Sequence, residues 1–263
     1  MPYELERELD TAIAAARRAG GILRVHLEHG VEARTKNSPI DLVTEADKAS
    51  EAAIVPMLAQ AFPHHRILSE EGGGNHAQSE WVWIIDPLDG TTNFAHGYPH
   101  FAVSIALQRN GATVVAVVYD AMQDELFTAR QGAGAQCNGR PIRVSTTPRL
   151  ERSLLTSGFP YDRQTNARNN VDHFADLLMR SHSVLHSGSA ALDLAYVACG
   201  RLDGYWEFKL SPWDYAAGWL LVLEAGGCVT GPTGEPVDMQ KGDIATSNGH
   251  IHAELLACLQ PAV

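Results

Sequence analysis

Asp86-Pro87-Leu88-Asp89-Gly90-Thr91-Thr92-Asn93-Phe94 combines acids, a glycine and hydroxyls at a spacing that could do chemistry. The segment follows an apolar run, Trp81-Val82-Trp83-Ile84-Ile85, that reads as a buried strand. Asp86 and Asp89 are therefore expected where the strand ends, with Pro87 stiffening a turn between them. Gly90 admits a close approach of the backbone, and Thr91 and Thr92 suit the first turn of a helix. The expected result is two carboxylates beside unpaired backbone N–H groups. Carboxylates gather divalent cations and a helix N-terminus gathers phosphate, the combination that metal-assisted phosphoryl chemistry uses. Pro-x-Asp-Gly is also an ordinary turn, and an Asp or Thr before a helix an ordinary cap. Alone, the segment fits either role.

Further segments carry candidate groups. In Asp41-Leu42-Val43-Thr44-Glu45-Ala46-Asp47, Thr44 with an acid three positions later reads as a capping box. Ser69-Glu70-Glu71-Gly72 puts two acids directly after the apolar Ile67-Leu68, as a solvated loop also would. Trp206-Glu207 precedes Pro212-Trp213-Asp214, and Asp214 opens a long apolar helix where the dipole favours an acid. Ser187-Gly188-Ser189-Ala190-Ala191 is a small-residue turn suited to start another helix.

The elements that must hold these groups follow from periodicity. Residues 3–28 read as an amphipathic helix with Leu5, Leu9, Ile13, Ala16, Leu23 and Leu27 near one face, and Gly20-Gly21 leaves room for a close neighbour. Lys36-Asn37-Ser38-Pro39 reads as a loop, and a second helix is expected over 44–61, kinked or split at Pro56. Short strands are expected at 66–68, 81–85, 102–108, 113–119, 125–129 and 135–137, with a hairpin about Asn110-Gly111. Past Arg143, strands at 153–156, 183–186 and 203–206 alternate with helices near 165–180, 190–199, 213–224 and 250–259. The expected organisation is an α+β unit over 1–143 carrying most of the acids and an α/β unit over 144–263 completing the site.

At 263 residues the chain can bury a substantial core, and its net charge of −11 argues against nonspecific binding to nucleic acid or an anionic membrane. An acidic protein that handles an anionic substrate must invert the local field, and bound metal does so. Cys137, Cys199, Cys228 and Cys258 show no C-x-x-C spacing and read as reduced structural thiols. His64-His65 and His250-x-His252 lack zinc-site spacing. With no basic-then-apolar leader and no apolar run near about 18 residues, a cytoplasmic protein is expected.

Read in order, Asp41…Asp47, Glu70-Glu71, Trp83-Ile84-Ile85-Asp86-Pro87-Leu88-Asp89-Gly90-Thr91-Thr92-Asn93-Phe94, Gly188-Ser189-Ala190 and Trp213-Asp214 resemble the inositol monophosphatase family. The Trp213 helix ending in Glu224-Ala225-Gly226-Gly227 is similar to the family's second signature. The resemblance implies a layered αβαβα sugar-phosphatase fold, a homodimer, Mg²⁺ dependence and lithium sensitivity. It implies that Glu70, Asp86 and the carbonyl of Leu88 hold one Mg²⁺, that Asp86, Asp89 and Asp214 hold a second, and that Glu70 shares a weaker third. Gly90 and Thr91 would face the phosphate; Asp47, Glu70 and Thr91 would position and activate a water. Asp89, Gly188, Ser189, Ala190, Glu207 and Asp214 would line the alcohol side of a small phosphorylated polyol.

Where relatives often carry an arginine before the small-residue turn, this chain has His186 and Ser187. Ser69 stands where glycine commonly precedes the acid pair, and Lys209 beside Glu207 reads as a solvated lysine. These departures touch the substrate's identity, leaving fructose 1,6-bisphosphate, histidinol phosphate and 3′-phosphonucleotides as alternative substrates and a regulatory role in transcription as another class of function. The acidic balance offers no basic stripe for RNA.

Overall fold

Small residues spaced along the first helix let it lie flat on a sheet. The computed structural model describes residues 5–30, 33–35, 41–75 and 77–260; the expected helix start at Tyr3 and the Lys36-Asn37-Ser38-Pro39 loop lie outside them. Helix α1 (Glu6–His29) buries Ala12, Ala15, Ala16, Ala19, Gly20 and Leu23. Gly20 is required by packing: a Cβ there would stand 2.5 Å from Tyr119 Cε1. Strands β1 (Ala33–Thr35) and β2 (Leu42–Thr44) form a short antiparallel pair. Helix α2 (Glu45–Ala61) follows, with Pro56 inside it as one continuous element rather than two.

The first large sheet has seven strands: β3 (Arg66–Ser69), β4 (Trp81–Asp89), β5 (Ala102–Arg109), β6 (Ala112–Asp120), β7 (Glu125–Arg130), β8 (Gly134–Cys137) and β9 (Arg140–Pro141). They lie in sequence order, β3 parallel to β4 and the rest antiparallel. The one-turn helix α3 (Thr91–Ala95) follows β4. The β5–β6 hairpin turns through Asn110 and Gly111, both left-handed (φ 49° and 80°), the backbone that Asn-Gly supplies at low cost.

The second sheet contains β10 (Leu154–Ser157), β11 (Ser183–Leu185), β12 (Gly204–Glu207), β13 (Cys228–Thr230) and β14 (Ile244–Ser247) in the order β11-β10-β12-β14-β13. Its helices are α4 (Val171–Arg180), α5 (Ala190–Ala198), α6 (Pro212–Glu224) and α7 (His252–Cys258). Helix α4 starts later than the expected 165. Asn170 sits at φ 72°, with Nδ2 donating to Ser157 Oγ and the Gly158 carbonyl, both at 2.7 Å, and Oδ1 accepting from Trp206 Nε1 at 2.6 Å. An asparagine held this way competes with the helix and fixes its start. The four cysteines are free.

The core sorts these elements into five layers. Helices α1 and α2 pack on one face of the seven-stranded sheet through Leu23, Ile54, Trp83, Ile85 and Tyr119. Its other face, with Ile84, Ala102, Ala106 and Val118, packs on α5 and α6, which also meet Tyr205 and Ile244 of the five-stranded sheet. Helices α4 and α7 cover the outer face of that sheet through Leu177 and Leu255 against Leu155, Trp206 and Ala245. The order is αβαβα.

One irregularity in this frame sets up the site. Asp86 and Asp89 were expected beyond the strand, in a turn, yet β4 runs through both. Asp86 pairs with Ser104 and Asp89 with Ala102, so three steps on β4 oppose two on β5, a β-bulge. Residues three apart on a regular strand point to opposite faces. The bulge restores both acids to the face of Ala102 and Ser104, towards α5 and α6, and sends Leu88 into the α1–α2 core.

Candidate active site

The face chosen by the bulge opens into a cavity of about 700 Å³ between the seven-stranded sheet and the loops that lead into α5 and α6. Glu70, Asp86, Leu88, Asp89, Gly90, Thr91, Gly188, Ser189, Ala190, Glu207 and Asp214 all line it; Asp47 is fully buried behind Thr91. Glu70 follows β3, and its N–H donates to the Ile85 carbonyl at 3.2 Å, which brings the residue beside Asp86. Asp86 Oδ1 accepts from the Leu88 N–H at 3.0 Å, holding the bulge from within.

Gly90 caps α3 in the left-handed region at φ 95°; a Cβ there would meet the carbonyls of His100 at 3.1 Å and Gly188 at 3.3 Å. Thr91 Oγ1 lies 3.1 Å from Asp47 Oδ1 and 3.0 Å from the Leu88 carbonyl. The other oxygen of Asp47 accepts from the Thr44 N–H at 2.7 Å and the Thr44 hydroxyl at 2.6 Å, the capping box of α2. A single carboxylate thus caps one helix and engages the first residue of another.

Across the cavity, Asp214 is the N3 acid of α6 and accepts from the Ser211 N–H at 2.7 Å. Ser189 caps α5; its hydroxyl donates to Asp89 Oδ2, which also accepts from the Ala191 N–H at 2.9 Å. Glu207, at the end of β12, accepts from the Tyr205 hydroxyl at 2.7 Å. Lys209 lines the cavity with its Nζ 2.7 Å from Asp162 Oδ2, in an ion pair that solvent still reaches.

These carboxyl groups hold protons far more firmly than usual. Asp86 is raised well above the ordinary carboxylate range, first by burial and then by the charges of Glu70, Asp89 and Asp214. Asp214 is raised likewise by burial, Asp89 and Glu70. Burial lifts Asp89 to about 6, against the hydrogen bonds from Ser189 and Ala191 that favour its anion. Glu207 is pushed up to about 8, again chiefly by burial. The charges that act most strongly on Asp86 and Asp214 are those of neighbouring carboxylates. Among the described residues no three His, Cys, Asp or Glu side chains close into a finished ligand cage. The acids share a wall, and their all-oxygen chemistry suits a hard divalent cation such as Mg²⁺.

Sequence reasoning overlooked one member of this neighbourhood. Asp193, within the apolar α5, is 3 % exposed, lines the cavity and accepts hydrogen bonds from Ser187 Oγ and Thr156 Oγ1. The available signal was a lone acid in Ala190-Ala191-Leu192-Asp193-Leu194-Ala195.

Residues 4–263 match the inositol monophosphatase family. The chain belongs to that family. It is 45% identical over 259 residues to a protein of Synechocystis sp. named inositol-1-monophosphatase, covering 98% of this chain and 90% of that one. It is also 46% identical over 259 residues to a Pseudomonas aeruginosa protein named Nus factor SuhB, covering 96% of each. Among solved structures, the inositol monophosphatase of Anabaena (Nostoc) sp. superposes with a TM-score of 0.90 at 48% identity, over 98% of this chain and 96% of that one. Inositol monophosphatase relatives thus share both the sequence and the layered fold of this chain.

Proposed function

We propose that the chain is a Mg²⁺-dependent phosphomonoesterase that hydrolyses myo-inositol 1-phosphate, or a related polyol or sugar phosphate, to the free alcohol and phosphate. The observation that carries this reading is the shared wall of buried Asp86 and Asp89 with partly buried Glu70 and Asp214, mutually repelling, beside the Gly90–Thr91 turn. Such a wall is stable with its acids ionised only if cations neutralise it.

In this reading Glu70, Asp86 and the Leu88 carbonyl hold one cation, Asp86, Asp89 and Asp214 a second, and Glu70 shares a weaker third. When bound, the cations act as Lewis acids towards the phosphoryl and leaving oxygens and favour ionisation of a water. The protein groups do the rest. The N–H groups of Gly90 and Thr91 orient the phosphate. Thr91 Oγ1, held by Asp47, accepts a hydrogen bond from the attacking water and fixes its direction, with Glu70 close by to take the proton. Asp89, Gly188, Ser189, Ala190 and Glu207 receive the hydroxyls of the alcohol. A water held near Asp214 returns a proton to the departing oxygen. The working protein is a cytoplasmic homodimer inhibited by lithium. Among the described residues no helix is long and apolar enough to cross a membrane.

The test is kcat/KM for inositol 1-phosphate, fructose 1,6-bisphosphate, histidinol phosphate and a 3′-phosphonucleotide, each with and without Mg²⁺. Preference for inositol 1-phosphate with loss of turnover on chelation supports the reading. Undiminished turnover in a chelator sinks it.

A second reading, a regulatory role in transcription, is favoured by the likeness to the relative named Nus factor SuhB. Retention of transcription proteins by an immobilised Asp214→Asn variant supports it; retention by neither that variant nor the wild type removes it.

A further inference from the structure

A buried carboxylate in an apolar helix is costly unless its oxygens are hydrogen-bonded, so Asp193 calls for an explanation. Its Oδ1 accepts from Ser187 Oγ at 2.7 Å and its Oδ2 from Thr156 Oγ1 at 2.9 Å. Thr156 belongs to β10, and Ser187 opens the turn that enters α5. On its other side, the carbonyl of Ser187 accepts from Asn93 Nδ2 at 2.8 Å, and the same amide donates to the His100 carbonyl at 2.8 Å. Gly188 then turns at φ 86°, where a Cβ would stand 2.9 Å from the Asn93 amide. The turn ends on Asp89, which takes the Ser189 hydroxyl and the Ala191 N–H. Thr156, Asp193, Ser187, Ser189 and Asp89 therefore form one chain of contacts from the five-stranded sheet to the cavity.

We propose that Asp193 is a positioning residue for selection of the leaving alcohol: through Ser187 it holds Gly188, Ser189 and Ala190 against hydroxyl groups of the substrate. The inference rests on the phosphatase reading above and adds a residue to it. Both oxygens of Asp193 are taken by protein hydroxyls, so it works through the turn. A displaced turn misplaces groups that meet hydroxyls of the alcohol, while an ester whose alcohol carries no further hydroxyl does not depend on those groups.

The experiment compares kcat/KM for myo-inositol 1-phosphate and for 4-nitrophenyl phosphate at saturating Mg²⁺. In Asp193→Ala, kcat/KM for the inositol ester is expected to fall about tenfold to a hundredfold, mainly through KM, and that for the aryl ester by less than about threefold. Ser187→Ala reproduces the selective loss, and the double variant adds nothing to it, because the two residues act as one unit. Asp193→Asn restores the wild-type ratio: its carbonyl still accepts from Ser187, and its amide donates to Thr156, whose hydroxyl turns to the Leu185 carbonyl 3.3 Å away. Should Asp193→Ala not fold, Ser187→Ala and Asp193→Asn decide the matter. Equal losses on both esters, or a wild-type ratio in Ser187→Ala, overturn the proposal. Wild-type protein inert towards both esters overturns the phosphatase reading itself and this role with it.

Discussion

The hydroxyl of Thr91 stands between two acceptors, 3.1 Å from Asp47 Oδ1 and 3.0 Å from the Leu88 carbonyl. Its one proton must go to one of them, which leaves its lone pairs facing the cavity. Thr91→Val removes the hydroxyl at nearly constant volume. We expect kcat to fall about 10²–10⁴-fold with KM little changed, the scale of a lost proton-handling group. Asp47→Asn should show the same kinetic loss and also lower stability by about 1 kcal/mol through the weakened cap. Steady-state kinetics with thermal denaturation separate the two effects.

Asp214→Asn keeps the side-chain oxygen that caps α6 but removes a charge from the cavity wall. Folding should survive, and turnover at saturating Mg²⁺ should fall about 10²–10³-fold, as for the loss of one preorganised group facing developing charge. Wild-type turnover in this variant would end the assignment of Asp214 to the cation site.

Stability should depend on pH and on Mg²⁺ together. Asp89 rises from 3.8 to about 6 on folding, and burial with neighbouring carboxylates raises Asp86 and Asp214 as well. Between about pH 4 and 6 the folded chain holds a proton that the unfolded chain has released, so in chelator stability falls as pH rises through that window. Mg²⁺ competes with these protons, so the gain in Tm on adding it should be larger near about pH 8 than near about pH 5. Differential scanning fluorimetry over both variables measures it; a gain independent of pH contradicts the cation site.

Gly20 and Gly21 are neighbours with opposite tolerance. Gly20→Val drives its side chain into Tyr119 and should cost about 1–3 kcal/mol by overpacking. Gly21→Ala meets nothing within 4 Å and should gain up to about 1 kcal/mol from helix propensity. Denaturant melts of the two variants give the contrast directly.

Much of this was written in local sequence. Asn110-Gly111 between apolar runs announced its hairpin, and Thr44 with Asp47 announced the capping box, because each signal involves residues within a few positions of one another. What stayed hidden depends on distant partners. The late start of α4 is fixed by Asn170 reaching Ser157 and Trp206. The strands β13 and β14 are short; β14 owes its register to β12, and β13 owes its own to β14. The role of Asp193 shows only when Thr156, from another strand, meets it. Sequence identified Glu70, Asp86, Asp89, Glu207 and Asp214 one by one; the common orientation of Asp86 and Asp89 came from a bulge that no local pattern revealed.

That bulge carries an evolutionary cost. Straightening β4 against β5 at unchanged length would close the gap in the ladder and turn one of the two acids, Asp86 or Asp89, away from the other. A strand so straightened would trade a mutually repelling, acid-rich wall for an uninterrupted ladder. Selection for heat resistance alone would favour that exchange, and its winners would be sturdy proteins without chemistry. At this point in the strand the chain's interest in durability and its interest in turnover diverge.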